Sequence, residues 1–139
     1  MDTRLQHSTV ALRMAVGLMA TLAGLDKFFN ILADWGSYIS PVAAGLVPLS
    51  PEVLMGVVGV VEMAVGVCIL TALPAIGAYV ASAWLMLVAG NLVIGGHFDV
   101  AVRDVVLAIA AFTLARLMEI QTEAEAGHTT SLEPALSRN

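Results

Sequence analysis

The chain has 139 residues, of which 59% are hydrophobic and 12% are charged, and its formal net charge is −5. Its mean hydropathy of +0.90 excludes an ordinary soluble domain, because a domain of this length does not need so many apolar residues to form one core. The composition therefore predicts an integral membrane protein that lies in a lipid bilayer, and we expect no nucleic-acid partner.

The chain contains four apolar segments, each long enough to cross a hydrocarbon core of roughly 30 Å as a helix. The two central segments are separated by Pro74, and the only formal charge between Val53 and Phe98 is Glu62, whereas the first and the fourth segments carry charges near their ends. The predicted spans are residues 8–33, 52–72, 75–96 and 98–118, to within a few positions. Residues 1–120 thus predict an all-α fold, an integral membrane four-helix bundle.

The distribution of Lys and Arg near the ends of the spans predicts the topology. Lys and Arg flank the start of the first span and the end of the fourth, whereas residues 34–52 and 73–75 contain none. Because positive residues favour the cytoplasmic side, both termini are predicted to be cytoplasmic. Residues 34–52, with their aromatic and apolar side chains, are then predicted to lie at the outer interface. Residues 121–139 are predicted to form a disordered, acidic cytoplasmic tail.

Small residues recur at helical spacing along the spans, a pattern typical of helix contacts in membranes. Glu62 lies between Gly59 and Gly66 in the second span, Lys27 continues a stripe of Gly and Ala in the first, and Asp104 lies on a stripe of Ala in the fourth. Three helices therefore carry a charge on a face suited to packing. A lone ion in a bilayer costs at least a few kcal/mol, so these charges are expected to pair or to line a cavity.

The polar residues lie at similar predicted depths, which indicates one pocket in the outer half of the bundle. We expect Glu62 to form its floor and to be the candidate for proton exchange, with His97 at the rim. Lys27, Arg103 or Asn91 would stabilise the polar head of an uncharged amphiphile such as a quinone. The candidate ligand-binding residues are Asp26, Lys27, Asn30, Glu62, Asn91, Arg103 and Asp104.

A structural role for the same charges is the alternative, because salt bridges between helices also fix their register. Both interpretations stay open for the pocket. Arg116 and Glu119 are predicted to form structural ion pairs at the cytoplasmic interface, and Arg13 is assigned to the same class.

Few residues could carry redox chemistry, so whether the chain is itself an enzyme stays open. Cys68 is the only cysteine, and none of the three histidines lies in a predicted span. These facts exclude a thiol–disulfide mechanism and a haem held by two histidines between helices. No metal-binding motif is present, and no covalently bound cofactor is expected.

Three segments carry a resemblance to a known family, namely RMAVGLMATLAGLDKFF in the first span, GVVGVVEMAVGVCIL in the second and HFDVAVRDVVLAIAAFTLARL leading into the fourth. From about residue 12 to residue 117 the chain resembles the DoxX family of small four-helix bacterial membrane proteins. The resemblance implies a bundle in the bacterial cytoplasmic (inner) membrane, with relatives associated with thiosulfate:quinone oxidoreductase or with oxidative-stress complexes. The residues to which it points are Arg13, Lys27, Glu62, Arg103 and Asp104.

Two functional hypotheses follow. The first is a small integral subunit of a quinone-linked oxidoreductase or detoxification complex, which anchors protein partners and binds a quinone head group without a covalent bond. The second is a non-catalytic scaffold or accessory protein whose buried charges are structural. A solute or proton carrier is disfavoured, because neither an inverted repeat nor a pair of broken helices is visible. Glycines at positions 45, 56, 77 and 90 fit a homodimer contact or packing within the bundle.

Overall fold

A computed structural model describes the backbone of residues 3–136 and the side chains of residues 3–127. All regular elements in these residues are helices. They are α1 (Thr3–Asp26), a 3-10 helix (Trp35–Tyr38), α2 (Pro41–Leu46), α3 (Pro51–Leu70), α4 (Pro74–Ile94) and α5 (Phe98–Leu136). A proline opens each of α2, α3 and α4, because the first turn of a helix needs no N–H donor there. Ser40 and Ser50 cap α2 and α3 by accepting hydrogen bonds from backbone N–H groups.

Three helices, α1, α3 and α4, are long and apolar enough to cross a membrane. They contain 24, 20 and 21 residues, which corresponds to lengths of about 30–36 Å at the helical rise. Large apolar side chains such as Leu22, Val57 and Ile76 lie exposed on their outer surfaces. Such surfaces fit a lipid environment, so the chain has the character of a membrane protein.

The first helix is shorter than the sequence indicated, because it ends at Asp26 and not near residue 33. Residues 27–29 form a turn, and Asn30 adopts a φ of 51°. This left-handed conformation ends helices, and Asn is one of the few residues other than Gly that adopt it readily. Hydropathy did not reveal this end, because the residues after Asn30 are again apolar.

The last helix is longer than the sequence indicated. The backbone of α5 is helical as far as Leu136, so it includes most of the segment that we predicted to be disordered. Residues 119–126 are mainly Glu, Gln, Ala and Ile, and their helix propensity allows the helix to continue beyond the packed part of the fold. Residues 137–139 of the predicted tail, and residues 1–2, lie outside the described residues.

The long helices pack mainly in two pairs, α1 with α3 and α4 with α5, and contacts of α3 with α4 and of α1 with α5 join the pairs. In the α1–α3 pair, the two backbones touch at glycines. A methyl group added to Gly24 would lie 2.6 Å from the carbonyl oxygen of Gly59, and one added to Gly59 would lie 2.5 Å from that of Gly24. Only glycine permits this approach. The sequence predicted that small residues would lie at such helix contacts.

The buried apolar core lies toward the other end of the helices and joins both pairs. Its side chains are mostly small, which lets α4 and α5 lie close together. The core residues are Val16, Ile69, Ala78, Ala81, Ala111, Leu114 and Ala115.

Candidate ligand-binding site

A cavity of about 760 Å³ is lined by residues of all four long helices and of residues 35–47. Its volume lies within the range of roughly 300–1,000 Å³ that is usual for small-molecule sites. Most of the lining side chains are aliphatic. The polar and aromatic lining residues are Lys27, Trp35, Tyr38, Ser40, Glu62, Trp84, Asn91, Arg103 and Asp104.

The cavity reaches the outer apolar surface of the helices. Val42 and Leu46 of α2 and Leu87 and Ile94 of α4 line it, although each remains between 51% and 77% exposed. A side chain that lines a cavity and is also largely exposed lies at an opening. The cavity therefore opens beside α2 and α4, on the kind of surface that would face lipid.

Lys27 and Glu62 form a buried ion pair at the inner end of the cavity. Lys27 Nζ lies 2.5 Å from Glu62 Oε2, and the two side chains are 6% and 13% exposed. Lys27 Nζ also donates to the carbonyl oxygen of Ala23 at 3.5 Å and lies 4.0 Å from the centroid of the Trp35 ring. Three partners match the three N–H bonds of an ammonium group, so Lys27 has little capacity left for a ligand.

The second oxygen of Glu62 has a weaker partner. Trp84 Nε1 lies 3.5 Å from Glu62 Oε1, beyond the usual N–H···O distance. An indole N–H inside an apolar helix needs an acceptor, and Glu62 is the one that α3 provides. Glu62 thus links α1, α3 and α4.

Asp104 adds a second carboxylate from α5. It lines the cavity, is partly buried, and interacts electrostatically with both Glu62 and Lys27. Among the described residues it has no hydrogen bond and no ion pair, so its oxygens remain available as acceptors. Its neighbour Arg103 also lines the cavity, is exposed, and makes no ion pair within residues 3–127.

Asp26, a predicted ligand residue, serves the turn after α1 and does not line the cavity. Its side chain is buried, with the residue only 7% exposed. It accepts hydrogen bonds from the backbone N–H groups of Ile31 at 3.1 Å and Leu32 at 2.9 Å, and from Trp35 Nε1 at 2.8 Å. Asp26 and Lys27 are therefore adjacent because they hold the same indole, one at its N–H and the other at its face.

Asn30, another predicted ligand residue, lies in the same turn. Its backbone is left-handed, and its Oδ1 accepts a hydrogen bond from the backbone N–H of Trp35 at 3.4 Å. Asn30 does not line the cavity, and its side chain shapes the chain between α1 and the 3-10 helix.

Asn91 lines the cavity, but its amide is bound to the segment above it. Its Oδ1 accepts from the backbone N–H of Ser40 at 3.0 Å, and its Nδ2 donates to the carbonyl oxygen of Tyr38 at 2.8 Å. His97 lies nearby, with Nε2 3.1 Å from the carbonyl oxygen of Ser37 and its ring edge-on to Tyr38. Asn91 and His97 thus attach the 3-10 helix to the end of α4.

Arg13 forms no ion pair with any residue that the structure describes, unlike its assignment from the sequence. Its Nε donates to the carbonyl oxygen of Ile69 at 2.8 Å, and its Nη2 donates to those of Leu70 at 2.9 Å and Thr71 at 3.2 Å. The last carbonyl groups of a helix have no partner within the helix, and a cation there also balances the helix dipole. Arg13 therefore caps the C-terminus of α3, at the end remote from the cavity.

Arg116 and Glu119 do form an ion pair, with Nη1 and Oε2 at 2.7 Å. Tyr79 also donates its hydroxyl to Glu119 Oε2 at 3.0 Å, which connects α4 to α5. The two charged side chains are 57% and 37% exposed and lie away from the cavity, so their contribution is structural.

The sequence did not identify Trp35 and Trp84 as site residues. Trp84 lies on the same face of α4 as Val88 and Asn91, at helical spacing, and this position is the signal that could have found it. Trp35 could not have been found in this way, because its place depends on the turn that Asp26 holds.

The chemistry of the cavity is limited. It combines a neutralised ion pair, one further carboxylate and two indoles with a long apolar wall. In the part of the chain that the structure describes, no group of three His, Cys, Asp or Glu could hold a metal ion. The site is suited to binding an apolar molecule with a small polar end, and its carboxylates could exchange a proton with that end.

Comparison with protein-family models finds no matching model, and comparisons with curated proteins and with solved structures find no significant match. The interpretation of the site therefore depends on its own geometry.

Proposed function

We propose that the chain is a multi-pass protein of the bacterial cytoplasmic membrane, of the DoxX type, that binds the head group of a quinone. In this proposal α5 is a fourth crossing, because its first part is apolar and packs along α4. Both termini are cytoplasmic, as the distribution of Lys and Arg favours.

The observation that carries the proposal is the cavity. Its walls are mostly aliphatic, it opens among exposed apolar side chains, and its buried charges, Lys27, Glu62 and Asp104, lie together. A molecule that enters from lipid with a small polar ring and an apolar tail fits this distribution. Glu62 or Asp104 would then exchange protons with the ring.

The chain would act as a subunit of a quinone-linked oxidoreductase or detoxification complex. Its sequence has one cysteine and no pair of histidines in an apolar helix, so the electrons would be carried by a protein partner. The chain would supply membrane attachment and the quinone site.

A second candidate function is a scaffold without a ligand. It is favoured by the structural engagement of several polar residues that the sequence assigned to the pocket. Asp26 and Asn91 bind backbone groups of their own chain, and Lys27 is neutralised by Glu62.

Quinone binding can be measured with the intrinsic fluorescence of the protein, because both of its tryptophans, Trp35 and Trp84, line the cavity. We expect a decyl-substituted benzoquinone to quench this fluorescence saturably in purified protein. Val88→Phe fills the cavity and should weaken binding at least about tenfold, as expected for the loss of about 1.4 kcal/mol.

Val80→Phe is the matched control. Val80 lies on the same helix, is 47% exposed and does not line the cavity. The control should bind the quinone as the wild type does. Absence of saturable quenching in the wild type, or equal affinities of the two variants, would contradict quinone binding in this cavity and would favour the scaffold.

A further inference from the structure

The ionisable and amide groups that line the cavity differ in whether they can still bind a ligand. Lys27 directs its N–H bonds at Glu62, Ala23 and the Trp35 ring. Asn91 directs its oxygen and one of its two amide N–H bonds at the backbone of residues 38–40. No ammonium N–H of Lys27 is therefore left for a ligand carbonyl group, and the donors that remain at the inner end are neutral, namely the second amide N–H of Asn91 and the indole N–H of Trp84, which lies 3.5 Å from Glu62 Oε1.

The acceptors at the inner end are less occupied. Glu62 Oε1 has only the 3.5 Å contact with Trp84, and Asp104 has no hydrogen-bond partner within the described part of the chain. Among the described residues that line the cavity, Lys27 is the only buried cation, and it is already paired with Glu62. An excess of acceptors and of negative charge thus lies next to the apolar cavity.

Two other lining groups do not reverse this balance. Arg103 can donate, but it is exposed and lies at the edge of the cavity. The hydroxyl of Tyr38 can donate or accept, so it does not discriminate between ligands. The groups at the inner end therefore decide which ligand is preferred.

We infer that the cavity binds the reduced, hydroxyl-bearing form of its quinone more tightly than the oxidised form, with a ligand hydroxyl donating to the carboxylate of Asp104. This inference rests on the proposed function and specifies its ligand. A quinol has O–H donors for Asp104, whereas a quinone has only carbonyl acceptors, which lone pairs on Asp104 and Glu62 would repel. A hydrogen bond to a charged acceptor is typically worth more than one between neutral groups.

The test compares the two redox forms of the decyl-substituted benzoquinone under anaerobic conditions. The quinol is titrated against bound quinone, and recovery of tryptophan fluorescence gives its affinity. We expect the wild type to bind the quinol about tenfold more tightly, which for a two-electron couple raises the midpoint potential of the bound ligand by about 30 mV. Redox titration of the bound ligand measures this shift. The quinol titration and the redox titration both use the wild-type protein, so neither depends on whether a variant folds.

Asp104→Asn should weaken quinol binding about tenfold and leave quinone binding nearly unchanged, because it removes the charged acceptor. Glu123→Gln is the matched control, since it removes an exposed acid of the same helix outside the cavity. It should leave both affinities unchanged.

The outcomes separate the inference from the proposed function. Equal binding of the two forms by the wild type, or equal loss of both in Asp104→Asn, overturns the inference while quinone binding stands. Failure of both forms to bind overturns the proposed function as well. Stronger competition by decylamine than by the quinol also overturns the inference, because it would show that the donor is an ammonium group.

Discussion

The contact between α1 and α3 and the cavity beside it are packed in opposite ways, although they share the same two helices. Along the contact, glycines bring the backbones together with no space for a methyl group. Toward α4 and α5, the same helices leave about 760 Å³ open. Tight packing on one face thus supports an open site on the other.

The comparison also shows how the ion pair is positioned. Lys27 follows Gly24 by three residues, and Glu62 follows Gly59 by three. A methyl group at Gly24 would lie 2.9 Å from Glu62 Cβ, and one at Gly59 would lie 3.2 Å from Lys27 Cβ. Each glycine therefore faces the charged residue of the other helix, so the close contact brings the two charges together.

Removing one charge should have the largest effect on this arrangement. Lys27→Met leaves Glu62 buried without its counter-charge and next to the carboxylate of Asp104. We expect a loss of about 3–5 kcal/mol in the free energy of unfolding, as for other broken buried ion pairs. Chemical unfolding of the purified protein in detergent measures this loss.

The double variant Lys27→Met/Glu62→Gln should recover most of the stability, because it removes the unpaired charge as well. Arg116→Met is the control, since it breaks the exposed ion pair with Glu119 and should not measurably change unfolding. If Lys27→Met unfolds at the same denaturant concentration as Arg116→Met, the buried pair does not hold the helices together.

The next effect concerns the tight face. Gly24→Ala places a methyl group 2.6 Å from the carbonyl oxygen of Gly59 and 2.8 Å from the backbone nitrogen of Met63. Backbone atoms cannot move aside as a flexible side chain can, so the helices must separate. We expect a loss of about 1–3 kcal/mol, as for other overpacked cores.

Gly90→Ala is the matched control for this change. Gly90 lies within α4, and a methyl group there would have no neighbour within 4 Å. The variant should be unchanged or slightly more stable, because Ala favours the helix by up to about 1 kcal/mol. Equal destabilisation by both substitutions would contradict a close backbone contact between α1 and α3.

The sequence predicted these features where helical spacing alone determines them. Gly59 and Glu62 share a face at any α-helical geometry, and the cost of a charge in an apolar helix predicted that Lys27, Glu62 and Asp104 would lie near one another. The same pattern predicted four apolar spans, and three described helices, α1, α3 and α4, are long and apolar enough to cross a membrane.

The roles of Asp26, Asn30 and Asn91 could not be predicted in this way. Each side chain binds backbone groups of residues 31–40, and the path of that segment depends on the left-handed turn at Asn30. A polar side chain that organises a turn and one that faces a ligand look the same in a sequence. The role of Arg13 was missed for a related reason, because carbonyl groups at a helix end are invisible in residue patterns.

The smallest effect should come from the residue that joins the turn to the ion pair. Trp35→Phe removes the N–H that binds Asp26 but retains an aromatic face for the ammonium of Lys27. Asp26 keeps the backbone N–H donors of Ile31 and Leu32. This variant should therefore unfold at only a slightly lower denaturant concentration than the wild type. Trp35→Leu removes the face as well, and should cost a further 0.5–2 kcal/mol, about the strength of a cation–π contact. In the Lys27→Met background no cation remains. The difference in the free energy of unfolding between Trp35→Phe and Trp35→Leu should then shrink to the difference in the packing of their side chains. If the difference persists there, the 4.0 Å contact reflects the fit of the indole and not an attraction to the charge.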